Sequence, residues 1–222
     1  MINLVLITSI IYTPNTPLSY ISNRSIYTPD ERFEQTKNTI ATLREKIPNL
    51  KIILVECSNL TEEQNNFFIS NTDYFLNLID DEDKKNKIYS ISKALGEGTM
   101  TITAIEYIKN NNIIFDNFFK ITGRYWLSEH FNYNNFDNND IIIHRIHGDI
   151  NNIATSLYKL HSSNLVDFYE FLVGNIDKMY QCIGYEVLFA LFINLYKQNN
   201  VIHFDKTGVN GYISVSGDLI DN

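Results

Sequence analysis

Short apolar runs of strand length alternate along this chain with amphipathic segments that open on helix-capping signals, and this alternation leaves few folds open. The first run, Ile2–Thr8, is almost continuously apolar, as strands are when a sheet is covered on both faces. A polar stretch over Pro14–Ile26 reads as a loop. Thr28-Pro29-Asp30-Glu31 then supplies an N-cap Thr, a Pro at the first helical position and a Glu three residues after the cap. Phe33, Ile40, Leu43 and Ile47 recur at helical spacing, and the helix has to stop before Pro48. A second strand follows at once, Lys51–Glu56 (KIILVE). Strand, capped helix and strand in this order form a crossover unit, whose two strands lie parallel.

The pattern continues. Thr61 with Gln64 forms another capping box and opens a helix over Glu62–Ile69, and Asp73–Ile79 reads as the third strand. The charged stretch Asp80–Lys87 (DDEDKKNK) reads as a solvated loop. It leads through a Gly-flexible turn at Lys93–Thr99 (KALGEGT) into a helix over Thr99–Lys109. Asn117–Thr122 is the fourth strand; Asp140–Arg145 and Ile153–Leu160 are two more, and Ser163–Val173 is helical. Ile183, Val187, Leu188, Leu191, Phe192 and Leu195 make one apolar stripe on a helix over Ile183–Tyr196. Val201–Phe204 and Gly211–Val215 are expected to close the sheet. The predicted fold is α/β: one Rossmann-like domain over residues 1–222, with a mainly parallel central sheet and helices on both faces.

Composition narrows the function. With 222 residues, 44% hydrophobic and 20% charged, the chain is sized and balanced for one ordinary globular domain. A formal net charge of −8 argues against a partner tracked by its phosphates, so nucleic acid is not expected. No run reaches transmembrane length. Met1–Tyr12 lacks the cationic start and cleavage site of a signal peptide and reads as a buried strand. The two cysteines, Cys57 and Cys182, have no metal-binding spacing and read as reduced thiols, which points to the cytoplasm.

In an open α/β sheet the ligand binds beyond the carboxyl ends of the strands. That rule selects Thr8 and Ser9, Glu56, Lys93–Gly98 with Gly96, Lys120–Tyr125, and the loops after Arg145 and before Ile183. Arg24 and Arg32 flank the start of the first helix, where a phosphate would sit. Trp126 reads as core, and His144 and His147 as structural histidines. No P-loop, nucleophile-elbow serine or Cys/His metal spacing is present.

Several of these segments carry a resemblance: Glu31–Thr36 (ERFEQT), Thr39–Pro48 (TIATLREKIP), the strand ending in Glu56, Lys93–Gly98 (KALGEG), Phe118–Trp126 (FFKITGRYW) and Gly208–Gly217 (GVNGYISVSG). In this order they resemble small glycosyltransferases of GT-A fold encoded by large DNA viruses and by bacterial polysaccharide loci. The resemblance implies a nucleotide-sugar donor and a glycan or small hydroxyl acceptor. It places Thr8 and Ser9 against the nucleotide and lets Glu56 accept the imide hydrogen of a uracil, which would favour a UDP carrier. Lys93 and Gly96 fall where such proteins contact ribose and phosphate. Lys120, Thr122, Gly123, Arg124 and Tyr125 occupy the segment that in relatives holds an Asp-x-Asp motif with Mn²⁺ or Mg²⁺.

Here that segment has no acid. Either Lys120 or Arg124 replaces the metal as a charged hydrogen-bond donor to the leaving diphosphate, or a metal is held elsewhere, by Asp80–Asp83, Asp149 or His203. An inverting transferase also needs a base for the acceptor hydroxyl. Glu186, at the start of the Ile183–Tyr196 helix, suits that role, with Asp149 its rival. A nucleotidyltransferase on a related fold is disfavoured because the loop Ser9–Pro14 has no glycine. A catalytically silent glycan- or nucleotide-binding module is the other reading.

Overall fold

The computed structural model describes residues 1–196 and 200–221. In chain order the elements are β1 (Asn3–Ser9), α1 (Pro29–Lys46), β2 (Leu50–Glu56), α2 (Glu62–Asn71), β3 (Tyr74–Asn77), α3 (Glu82–Ile88), α4 (Lys93–Asn110), β4 (Asn117–Thr122) and β5 (Tyr125–Leu127). They continue with β6 (Ile141–Ile143), β7 (Leu157–His161), α5 (Leu165–Gly174), α6 (Ile176–Tyr180), α7 (Tyr185–Tyr196), β8 (Val201–His203), β9 (Val209–Tyr212) and β10 (Leu219–Asp221). The central sheet has the order β3-β2-β1-β4-β7-β6-β8. Only β7 opposes the other strands, being antiparallel to both β4 and β6. The expected mainly parallel sheet is therefore observed.

Alternate residues of each strand feed two separate cores. Leu4, Leu6, Ile53, Val55 and Phe118 face α4, α5 and α7. Val5, Ile7, Ile52, Leu54 and Phe119 face Phe33, Ile40 and Leu43 of α1 and Phe68 of α2. Helices thus cover both faces, which is why the strands read as continuous apolar runs rather than alternating ones. Both predicted capping boxes form: Thr28 caps α1 and Thr61 caps α2.

The structure corrects the sequence reading in four places. The stretch Asp80–Lys87 is largely helical, not a loop: Asp81 caps the Lys84 amide, and Lys85–Glu82 (2.5 Å) and Lys87–Asp83 (2.6 Å) pair along α3. Lys93–Thr99 is not a flexible turn but the first two turns of α4, capped by Ser92. Gly96 and Gly98 are needed there for packing, since a Cβ on Gly96 would lie 3.0 Å from the Ile88 carbonyl oxygen and one on Gly98 would overlap the Met179 sulfur. In α7 the buried side is broader than the expected stripe: Tyr185, Leu188, Phe189, Ala190, Phe192 and Ile193 are buried, whereas Val187 and Leu195 are exposed. Finally, Gly211–Val215 does not close the central sheet. β9 pairs with β5 and β10 in a small antiparallel sheet of its own, which lies beside the carboxyl edge of the main one.

Candidate active site

The strand order changes direction between β1 and β4. From β1 the chain builds outward through β2 and β3, then returns to place β4 on the other side. The ends of β1 and β4 therefore diverge into a crevice, the usual ligand position in such sheets. Three adjoining cavities open there, of about 970, 150 and 100 Å³. Lys93 and Arg124 line all three.

The two smaller cavities are rich in cations. Arg32 is 4% exposed. It donates to the Ile10 carbonyl (2.6 Å) and to the hydroxyls of Ser25 (3.2 Å) and Ser214 (3.0 Å). Burial, together with the like charge of Arg124, lowers its pKa to about 9 against the pull of Glu56, so it stays charged at neutral pH. Among the described residues neither Arg32 nor Arg124 forms an ion pair with a carboxylate. Two polar atoms beside them, Arg124 Nε and Thr122 Oγ1, are buried without a hydrogen-bond partner. Thr8 and Ser9 line the smallest cavity, and Tyr125 walls the two larger ones.

The largest cavity adds acids. Lys93 stands at the first position of α4 and Glu186 in the first turn of α7, and the two meet across the cleft at 3.2 Å. Burial pushes the Glu186 carboxyl up, but the charge of Lys93, the residue's own backbone amide and Lys120 outweigh it and hold it below the usual range. Glu186 in turn raises Lys93, against burial. Four residues on from Lys93, on the same face of α4, Glu97 bonds the fully buried Lys120, whose ammonium also approaches the Thr155 carbonyl at 3.4 Å. Burial lowers the Lys120 pKa despite Glu97.

Several predicted residues lie elsewhere. Lys120 is fully buried and reaches the cleft only through Glu97. Glu56 lines none of the three cavities. It is fully buried, and one of its oxygens accepts from the Ile11 amide (3.0 Å), the Cys57 amide (3.0 Å) and the Ser58 hydroxyl (2.6 Å). It is a latch between two strand-end loops, and its second oxygen is buried without a partner. Gly123 packs against α1, where a Cβ would lie 2.8 Å from Thr36 Oγ1. Gly96 lines the smallest cavity only from within α4. Asp149 is exposed at the rim, accepting from the Asn151 amide at 2.8 Å. His203 lines the large cavity, and the His147 side chain lies outside the described residues.

The resemblance noted in the sequence implies a divalent metal, and the residues do not fit one. Such ions need several oxygen ligands, chiefly carboxylates. The end of β4 offers one hydroxyl and a guanidinium, and the nearby Glu97 and Glu186 are engaged by lysines. Among the described residues no three His, Cys, Asp or Glu side chains gather at one point, so Asp149 and His203 do not build a centre of that kind.

Sequence reasoning selected Glu97 only within Lys93–Gly98 and gave it no role, and it missed the C-terminal residues Ile213–Val215 that wall the middle cavity and Arg145 at the far end of the large one. Glu97 carried a signal: Lys93 and Glu97 stand at i,i+4, a spacing with meaning only once α4 starts at Lys93.

Solved structures share this fold. The glycosyltransferase GlyE of Streptococcus pneumoniae TIGR4 superposes with a TM-score of 0.52 at 10% identity, over 92% of this chain and 45% of that one. The inositol-1-phosphate CTP transferase from T. maritima superposes with 0.54 at 11% identity, over 98% and 91%. A glycosyltransferase involved in the glycosylation of the major capsid of PBCV-1 superposes with 0.50 at 8% identity, over 92% and 82%. The fold is that of GT-A-like nucleotide-sugar transferases. This chain spans less than half the length of GlyE. No protein-family model matches the sequence, and no curated protein matches it. At these identities the likeness is one of fold, shared by glycosyl- and nucleotidyltransferases alike, and no helix of the described residues is long and apolar enough to cross a membrane.

Proposed function

We propose that the chain is a glycosyltransferase that moves a sugar from a nucleoside-diphosphate donor to a hydroxyl of a glycan or small acceptor, without a metal ion. The observation that carries this reading is the pair Arg32 and Arg124. Two neighbouring guanidinium groups without a carboxylate, beside the orphaned Arg124 Nε and Thr122 Oγ1, form an incomplete arrangement that an anion completes. Buried like charges repel, and a diphosphate between them turns that repulsion into charge-assisted hydrogen bonds. The wide cleft next to this pair has room for a sugar and an acceptor.

In the reaction Arg32, Arg124 and Lys93 hold the diphosphate, and Thr122 and Tyr125 border the sugar. Glu186 takes the proton of the acceptor hydroxyl as its oxygen attacks the anomeric carbon. The bond from that carbon to the phosphate oxygen breaks, and its electron pair leaves with the diphosphate. The fixed cations stabilise the charge that develops there, as oriented donors do in a water-poor site. A base so placed contributes on the order of 10²–10⁴-fold.

The test is a thermal-shift panel of UDP, GDP, CDP and dTDP, each with Mn²⁺ and with a chelator. At a hundredfold excess over Kd, one nucleotide should stabilise the protein by about 2.7 kcal/mol. For a chain of this length that raises Tm by roughly 5–11 °C, and the chelator should not reduce it. No shift with any nucleotide would refute the proposal. A second reading, nucleotidyl transfer, is favoured by the near-complete mutual coverage with the T. maritima enzyme. It predicts release of pyrophosphate from a nucleoside triphosphate and a sugar phosphate. The glycine-free loop after β1 speaks against it.

A further inference from the structure

We infer that Lys93 is shared between the donor and the base, so that binding of the donor diphosphate draws Lys93 away from Glu186 and frees that carboxylate to act. The inference rests on the reading just given, in which an anion fills the Arg32–Arg124 cavity and Glu186 is the base.

Three observations support it. The first is position: Lys93 lines the two cation-rich cavities as well as the large one, so it stands at their junction. The second is contrast between two neighbouring ion pairs. Lys120–Glu97 has side chains 0% and 8% exposed and is locked in the protein, whereas Lys93–Glu186 has side chains 47% and 26% exposed. A pair that solvent reaches is weaker and exchanges more readily than one locked in the interior. A diphosphate offers Lys93 more negative charge than one carboxylate does, and Arg32 and Arg124 stand beside it to bind that charge. The third is the balance on Glu186. Lys93 is the main cation acting against the burial that would otherwise raise its carboxyl. Once Lys93 turns to the phosphates, the largest of the influences holding the carboxyl down is removed and the carboxylate becomes a stronger proton acceptor. Glu97 does not take Lys93 in its place, because Lys120 already holds it.

Before the donor arrives, therefore, Glu186 is tied and a poor base; after it arrives, Glu186 is free and a better one. Donor binds first and acceptor second. Lys93 acts as a positioning residue for Glu186 as well as a phosphate ligand.

The consequence is that Glu186 competes with the donor for Lys93. Removing the competitor should therefore tighten nucleotide binding. Isothermal titration of the full chain with the nucleoside diphosphate that binds tightest in the panel should show Glu186→Gln binding about three- to fivefold tighter than wild type, the scale set by an exposed ion pair. Lys93→Met should weaken binding, and Glu186→Gln should add nothing in the Lys93→Met background. Simple removal of a nearby negative charge would tighten both backgrounds equally, and that result overturns the inference. So does Glu186→Gln binding as wild type does, or more weakly. Absence of nucleotide binding to the wild type instead removes the transferase reading itself. Glu186→Gln is isosteric, and circular dichroism of each variant confirms that the proteins compared are folded.

Discussion

The locked pair Lys120–Glu97 gives the sharpest stability test. Glu97→Gln leaves the Lys120 ammonium fully buried without a counter-charge, its remaining neighbours being the substituted amide oxygen, the Thr155 carbonyl at 3.4 Å and the Tyr185 ring at 5.9 Å from its centre. Removing one partner of a buried pair costs about 3–5 kcal/mol, because the other charge stays without compensation. For a chain of this length that is a fall in Tm of roughly 6–20 °C. Lys120→Met should cost less, about 1–3 kcal/mol, because Lys93 stands one turn away and can turn to the orphaned Glu97. The double variant should recover most of the loss, since an apolar replacement of both charges is close to neutral.

The pH dependence has a definite sign. Burial lowers the folded-state pKa of Lys120 from 10.5, and losing Glu97 lowers it further. Between that folded value and 10.5 the unfolded chain binds more protons than the folded one. Stability contributed by this group therefore rises with pH, by up to about 1.4 kcal/mol per pH unit. The deficit of Glu97→Gln should shrink as pH rises from the variant's folded-state value to that of wild type, both of which lie below 10.5. Urea denaturation followed by far-ultraviolet circular dichroism measures each variant across that range of pH. The reasoning fails if Glu97→Gln lies within about 1 kcal/mol of wild type, if its deficit grows with pH, or if the double variant is no more stable than Glu97→Gln.

Three other expectations are as direct. Gly211→Ala places a Cβ inside the Tyr125 ring, its neighbour across the β5–β9 pair, so the ring must leave its place beside the cleft. A stability loss of about 1–3 kcal/mol should accompany weaker nucleotide binding by titration. Glu56→Gln should leave the order of nucleotide preference in the panel unchanged, because Glu56 does not reach the cleft. Burial also raises the Glu56 carboxyl above 4.5, so the folded state binds the extra proton and this contribution to stability falls as pH rises through that window. The Gln variant should lose that slope in urea titrations from pH 4 to pH 7. Thr28→Ala removes the cap of α1 and should cost about 1 kcal/mol, lowering Tm without changing nucleotide affinity.

The order of elements was legible because burial on both faces and helix capping leave local marks. β1, β2 and β4 read as apolar runs, and Thr28 and Thr61 announce their helices. What escaped depends on distant neighbours. Gly96 and Gly98 resemble a hinge in sequence, yet Ile88 and Met179, which pack against them, are what require their small size. The place of β9 could not be read because it is set by its pairing with β5, more than eighty residues earlier. At the site, strand-end residues such as Thr8, Thr122 and Arg124 were legible from strand order alone. Side-chain direction was not: Lys120 points to Glu97 behind the cleft, and Glu56 accepts from the amides of Cys57 in its own loop and Ile11 in the loop after β1.

The charges around the cleft form a graded series that explains how one segment can do the work of another. Burying Lys120 with Glu97 fixes a carboxylate that would otherwise compete for Lys93. Lys93 with Glu186 is the more exposed pair, which suits the separation by an anion inferred above. Leaving Arg32 and Arg124 without acids concentrates positive potential at the divergence of β1 and β4, where the fold would bind a diphosphate. A bound metal ion would bring its charge with it. These cations instead belong to the protein and repel one another, a repulsion that a bound anion relieves. If that is so, Arg124→Met should stabilise the ligand-free protein while abolishing nucleotide-induced stabilisation. A variant that loses both stability and binding would show that Arg124 holds the fold together rather than the ligand.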